Sequence, residues 1–420
     1  MSPEYGGMGK DSWFSLAKVF LRNLPRLPLS YAPYFVEKFR QANPHRHRGR
    51  VYLNAFFPPM PSAAFNRFID IVANGRRVPI STYYAVTEHC PFRCPHCSYG
   101  CHAPGQMTTQ ESLAAIEQFK RLGTPIIGFT GGEPLLRTDL AELVRAVGDE
   151  TISFVFTTGY GLTPQRAAEL SDAGLDGVMI GLESPDSREH DSVRGADGSF
   201  DMAMAAIRLA RDSGFYTCIA TVGTRERLRS GKLERLAELG TALGVQEFRI
   251  TEPVATGSFQ GRTDEVLTPG ERARLAEFHR QWNSRRRGPA VASFAYLESD
   301  EMMGCGAGYH HLFIDAVGNV CPCDLTPLSF GNLREEPLDA IWNRMGQWFD
   351  QPRCGCFANT VGEKLAEQGG RVQLPLHREA AEGICSACER TGELPAVYGK
   401  LKSHRTSAVG AGMPDGVSAS

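Results

Sequence analysis

Residues 80–97 read ISTYYAVTEHCPFRCPHC. The first eight, Ile80–Thr87, are rich in β-branched and aromatic side chains and predict a strand. A loop follows with Cys90, Cys94 and Cys97 in C-x3-C-x2-C spacing. That spacing brings three thiolates to one small object and supplies no fourth. A closed structural metal site takes four protein ligands, whereas a site for chemistry keeps one position open. Cys101 or His102 could close a tetrahedral zinc site instead, but zinc does not account for the pattern that follows.

From this loop to about residue 282 the chain alternates strand and helix. Thr108 and Glu111 form a capping box, and Leu113, Ile116, Phe119 and Leu122 follow at helical spacing. Gly123 is a helix stop. Ile126–Thr130 is the second strand and Ser153–Thr158 the third, with a helix from near Asp139 between them. Thr163-Pro164 opens the next helix. Gly177–Glu183, Tyr216–Val222 and Val245–Thr251 complete six strands. Six such units predict an α/β fold, a partial (βα)6 TIM-like barrel over residues 80–290. In that fold the loops after the strands carry the chemistry, which is where the cysteine loop lies. Thr130-Gly131-Gly132-Glu133-Pro134 leaves the next strand end. Its glycines let a ligand approach the backbone, and Glu133 offers a carboxylate suited to an ammonium group.

On these two motifs the chain resembles the radical S-adenosylmethionine (SAM) superfamily. The resemblance implies that Cys90, Cys94 and Cys97 hold a [4Fe–4S] cluster whose open iron chelates SAM. It implies that His96 lies near the adenine, and that Gly131, Gly132, Glu133 and Pro134 form the turn at the methionine amino end. Thr158 and Glu183 resemble ribose-contacting positions. Arg194 resembles an arginine used on the SAM carboxylate; a surface ion pair is its other reading. The implied reaction is reductive cleavage of SAM to a 5′-deoxyadenosyl radical that abstracts hydrogen from a substrate carbon.

Seven of the twelve cysteines lie in 305–388, four in 90–101, and Cys218 stands alone in an apolar strand as a small buried hydrophobe. Residues 300–392 read as a small cysteine-rich domain held by metal more than by a large apolar core. Cys305, Gly318 and Cys323 fit C-x12-G-x4-C, and Cys385-x2-Cys388 follows. This resembles the SPASM or shortened twitch domain, which implies that Cys305, Cys323, Cys385 and Cys388 hold an auxiliary [4Fe–4S] cluster. Cys354, Cys356 and Cys321 leave a second auxiliary cluster open, and structural zinc is the alternative. An auxiliary cluster suits reactions that discard an electron, so oxidation or bond formation is expected.

Net charge is −2, which gives no basic footprint for nucleic acid. The cysteines suit a reducing cytoplasm, and no apolar run is long enough to span a membrane. Residues 1–79 form an N-terminal helical or irregular extension. Trp13, Leu16, Ala17, Phe20 and Leu24 make a stripe that packs on the parent domain or touches a membrane surface. Residues 403–420 read as a disordered tail. Expected partners are a small-molecule or peptide substrate and a flavodoxin- or ferredoxin-type reductant. The rival functions are a zinc-stapled binding protein and a radical SAM enzyme for a lipid-linked substrate.

Overall fold

The computed structural model describes residues 31–400 apart from 101, 103, 368, 370 and 389–391. Cys101, the Trp13–Leu24 stripe and the 403–420 tail lie outside the described residues.

All six expected strands form: β1 Ser81–Thr87, β2 Ile126–Gly131, β3 Ile152–Thr157, β4 Gly177–Gly181, β5 Tyr216–Val222 and β6 Glu247–Thr251. Three more join them: β7 Ala290–Ser293, β8 His311–Ile314 and β9 Val320–Cys321. The sheet order is β9-β8-β1-β2-β3-β4-β5-β6-β7, parallel except for the antiparallel β8–β9 pair. Its two end strands are not hydrogen-bonded to each other, so the curved sheet is a partial barrel. A capped helix, Pro269–Ser284, supplies the crossover into β7. The chain therefore carries one βα step more than its pattern predicts. The strand AVAS is too short and too poor in large side chains to announce itself.

Helix starts follow the local chemistry. Thr108 and Glu111 form the reciprocal capping box of Thr109–Leu122, and Gly123 closes that helix in the left-handed region. Helices cover the outer sheet face. Tyr84, Phe129, Val155, Ile180, Ile219, Phe248 and Val291 pack there with helical Phe119, Leu143, Leu170, Ile207, Leu236 and Leu275.

The C-terminal segment buries more apolar side chains than its composition suggests. Leu328, Phe330, Ile341, Met345, Phe349, Phe357 and Val361 are buried in the same apolar cluster as the barrel helices. Each apolar run there is short. Together they cover the β8 edge of the sheet, which is why no long periodic stretch marks them.

Residues 45–61 close the amino ends of the strands. Two short antiparallel strands, His45–His47 and Arg50–Tyr52, bring Tyr52 into a stack on Tyr216 with ring centroids 4.2 Å apart. Tyr52 and Ala55 join Ile126, Ile152, Phe154, Met179 and Cys218 in a buried cluster inside the barrel. Glu247 accepts the Ala55 amide at 2.6 Å and the Tyr216 hydroxyl at 2.9 Å. Residues 45–61 of the N-terminal extension thus form the barrel floor, and Cys218 is a packed floor residue.

Truncating the stacked ring removes most of that seal. Tyr52→Ala should lower the unfolding free energy by about 3 kcal/mol, read from urea denaturation of the reduced protein. An unchanged midpoint would show that the hairpin adds nothing to the barrel.

Candidate active site at the carboxyl ends of the strands

The cysteine loop leaves β1 and is fixed on three sides. Gly132 donates its amide to Thr87 O and Glu133 to His89 O, both at 2.7 Å. A Cβ at Gly131 would collide with Thr87 O, and one at Gly132 with the carbonyls of His89 and Glu88. Gly131 also sits at φ 126°. The glycine pair therefore admits the neighbouring loop, a nearer reason for two glycines than ligand approach. On another side Ser258 donates its amide to Cys97 O at 2.9 Å, and a Cβ at Gly257 would strike the carbonyls of Cys97 and Ser98. On the third, Arg93 donates its amide to Arg194 O at 3.1 Å.

Glu133 is fully buried. It takes hydrogen bonds from the hydroxyls of Thr157 and Thr158 and from the amides of Thr158 and Leu135. Burial raises its carboxyl above the ordinary range against those four donors. The side chain ties the end of β2 to the end of β3, so Thr158 serves it directly. Pro134 begins a single 3-10 turn that Glu133 caps.

Glu183, just beyond β4, is the electrostatic centre. Arg194 approaches it at 3.1 Å, His96 at 3.2 Å and Arg227 at 3.0 Å, and Thr221 donates its hydroxyl at 3.0 Å. Burial alone would raise Glu183, yet His96, Arg227 and Arg194 hold it well below the usual carboxylate range. Arg194 is buried, so it is not a surface ion pair. Its second nitrogen donates to Cys94 Sγ at 3.3 Å, and its buried Nε has no partner among the described residues. A Cβ at Gly181 would occupy the same guanidinium position. Arg227 was not singled out in the sequence. It follows β5 in the run RERLR, which reads as a solvated charge cluster.

The three thiols fit a resident iron–sulfur cluster. They come from one loop, Cys90 lies close enough to feel Cys94 and Cys97, and a guanidinium faces one sulfur. A cation against sulfur favours the thiolate that ligation requires. The orphaned Nε of Arg194 suits an anionic ligand beside them.

The inner wall of the barrel is open above the floor. Tyr83, Phe156, Ala220, Val222, Thr251 and Phe294 are half-buried, whereas their outward neighbours Tyr84, Val155, Ile219 and Ile250 are fully buried. β8 contributes His311 to this wall, and its Nε2 lies 3.1 Å from Asp324. Glu252 binds Arg272 at 2.6 Å. Glu298 is raised well above the usual range by burial and by Cys305, Glu252 and Asp324.

Three of the C-terminal thiols, Cys305, Cys323 and Cys356, lie near Glu298. Cys305 pairs through its backbone with Arg353, and its thiol is hydrogen-bonded to that of Cys356. Cys323 lies near Cys305 and beside Asp324. Cys385 is buried at the end of helix Arg378–Ser386, and Cys388 lies near Arg353 and Lys364. Cys354 faces Glu393 O at 3.8 Å and Asp300. Cys321 is buried in β9 with Ala85 and Phe313. All described cysteines are free thiols. No described helix is long and apolar enough to cross a membrane.

The radical SAM superfamily model matches residues 84–242, and the SPASM iron–sulfur cluster-binding domain model matches residues 305–389. An AdoMet-dependent heme synthase from Nitratidesulfovibrio vulgaris is 29% identical over 62% of this chain and 78% of its own length. A PqqA peptide cyclase from Rhizobium meliloti is 27% identical over 63% of this chain and 73% of its own. The fold is shared with Streptococcus suis SuiB bound to S-adenosylmethionine, with TM-score 0.54 and 16% identity over 66% of this chain and 69% of that one.

The glycine turn gives a direct test. Gly132→Ala should at least halve iron incorporation on anaerobic reconstitution, because the cysteine loop must move away from the new methyl group. Gly270→Ala, where a Cβ meets nothing within 4 Å, should load normally. Equal iron content in the two variants would show that the turn does not set the loop.

Proposed function

Because this chain is a radical SAM enzyme carrying a SPASM domain, and so works with SAM, a [4Fe–4S] cluster and auxiliary iron–sulfur clusters, we propose that it abstracts hydrogen from a carbon of a small metabolite or peptide and completes a net oxidation or bond formation. One arrangement carries the reading. β8 pairs with β1, so the strand that leads into the cysteine loop lies beside the one flanked by Cys305 and Cys323.

Cys90, Cys94 and Cys97 hold the SAM-binding cluster, which with bound SAM supplies a hydrogen-abstracting radical when reduced. Arg194 spans Cys94 and Glu183, and its free Nε takes the SAM carboxylate. His96 and Glu183 flank the nucleoside. Glu133 holds the ends of β2 and β3 in register beneath the cofactor. The floor formed by Tyr52 and Tyr216 excludes water from below, which a reactive radical requires. Cys305 and Cys323 hold an auxiliary cluster, with further ligands drawn from Cys356, Cys385 and Cys388. A flavodoxin or ferredoxin in a reducing cytoplasm supplies the electron. By their names, one relative makes heme and the other cyclises a peptide, which keeps both substrate classes in the reading.

Anaerobically reconstituted protein should contain about eight irons per chain if one auxiliary cluster is present. With dithionite and SAM it should release 5′-deoxyadenosine. Cys94→Ala should abolish that product; a variant that releases it at the full rate would refute the ligand assignment.

A further inference from the structure

Arg249 stands on β6 and points into the barrel, 3% exposed. A buried cation requires an anionic or hydrogen-bonding partner, and a lone one is costly. Nη2 donates to the Tyr83 hydroxyl at 2.7 Å, a neutral partner. The nearest carboxylate, Glu247, is 4.0 Å away and is not hydrogen-bonded to it. Glu247 is turned to the floor, where its Oε2 takes Ala55 and Tyr216, while its Oε1 finds no hydrogen-bond partner. Burial moves Glu247 toward its neutral form. Of the wall's other acids, Glu252 has Arg272 and Asp324 has His311, while Glu298 feels the charge of Arg249 without forming an ion pair with it. Among the described residues Arg249 Nε and Nη1 thus make no hydrogen bond, and Nη1 keeps only the 4.0 Å approach to Glu247.

The surroundings are shaped to receive something there. The register places Ala220 beside Arg249 on one side and Ala292 on the other, so small side chains flank the guanidinium. The guanidinium carbon lies 4.6 Å from the ring centroid of Phe294 and 5.4 Å from that of Phe156. The two rings lie close to the guanidinium, and its Nε–H and Nη1–H, which point to different sides, can each meet an acceptor oxygen. Those rings and Tyr83 are half-buried, so they border the open chamber above. The partner that fits is a carboxylate whose adjoining carbons lie against aromatic rings.

We propose that Arg249 anchors a carboxylate of the substrate at the base of the chamber, which makes the substrate a carboxylic acid. The carboxylate belongs to a small acid or to a peptide chain. This rests on reading the chamber as the substrate site of the radical SAM reaction, which the release of 5′-deoxyadenosine tests separately.

The experiment measures binding to the reconstituted holoenzyme under anaerobic conditions without reductant. One arm compares 3-phenylpropanoate with 3-phenylpropanamide, and another compares a glycylglycylphenylalanine peptide acid with its amide. The acid should bind at least about tenfold more tightly than the amide, about 1.4 kcal/mol. A preference in the first arm alone identifies a small acid, and one in the peptide arm identifies a chain carboxylate. Arg249→Met should remove the preference and Arg249→Lys should keep part of it. Equal affinity of acid and amide in both arms, or a preference unchanged in Arg249→Met, would overturn the proposal. The wild-type comparison decides the matter even if the variants fold poorly.

Discussion

The cysteine loop is held by backbone contacts that only glycine tolerates, and the rest of the site depends on that closeness. Gly131 and Gly132 let the turn after β2 lie against residues 85–89, and Gly257 lets the segment after β6 lie against Cys97 and Ser98. Neither contact uses a side chain that could choose another rotamer. The loop is therefore positioned by rigid strand ends, which is what a site that must present three sulfurs to one object requires. The same packing explains why Glu133 turns inward. With the turn pressed against the loop, its carboxylate is closest to Thr157 and Thr158, and four donors there offset the cost of burying it.

Charge is distributed in two distinct ways along the chamber. At the rim, Glu183 gathers Arg194, Arg227 and His96, so the buried carboxylate is more than neutralised and the local field is positive. That field suits an anionic group beside Arg194. At the base, Arg249 faces aromatic rings and a hydroxyl, with its ion-pair partner Glu247 hydrogen-bonded to the floor. The first arrangement is complete within the protein apart from one nitrogen. In the second the cation has no hydrogen-bonded acid, and the proposed substrate anchor rests on that difference.

Much of this was readable in the residues, and what was not has identifiable causes. The cysteine spacing, the Gly-Gly-Glu turn and the caps at Thr108 and Thr163 are local signals, and each sits where the pattern puts it. β7 escaped notice because alanine and serine carry no strand pattern. β8 escaped because His311–Ile314 follows a glycine-rich run and pairs with a strand some 230 residues earlier. The floor hairpin contains three arginines and two histidines between 45 and 50, and polar residues at a barrel's end look the same as polar residues on a surface. Arg227 and Arg249 were hidden for the same reason. A buried cation is recognised by its partners, and those partners come from distant strands.

The placement of β8 has a consequence for chemistry. A radical formed on a substrate by loss of hydrogen must lose a further electron to give a stable oxidised product. An acceptor held in a tethered, mobile domain would meet that radical only occasionally. Here the C-terminal cysteines flank a strand that continues the barrel sheet beyond β1, and their segment shares the apolar core of the barrel helices. The acceptor side is thus fixed to the donor side by the sheet's own hydrogen bonds. The half-buried wall between them, from Tyr83 to His311, belongs to two adjacent paired strands. Tyr83 of that wall takes the hydrogen bond of Arg249, so the proposed carboxylate anchor belongs to the same continuous sheet as both cysteine groups.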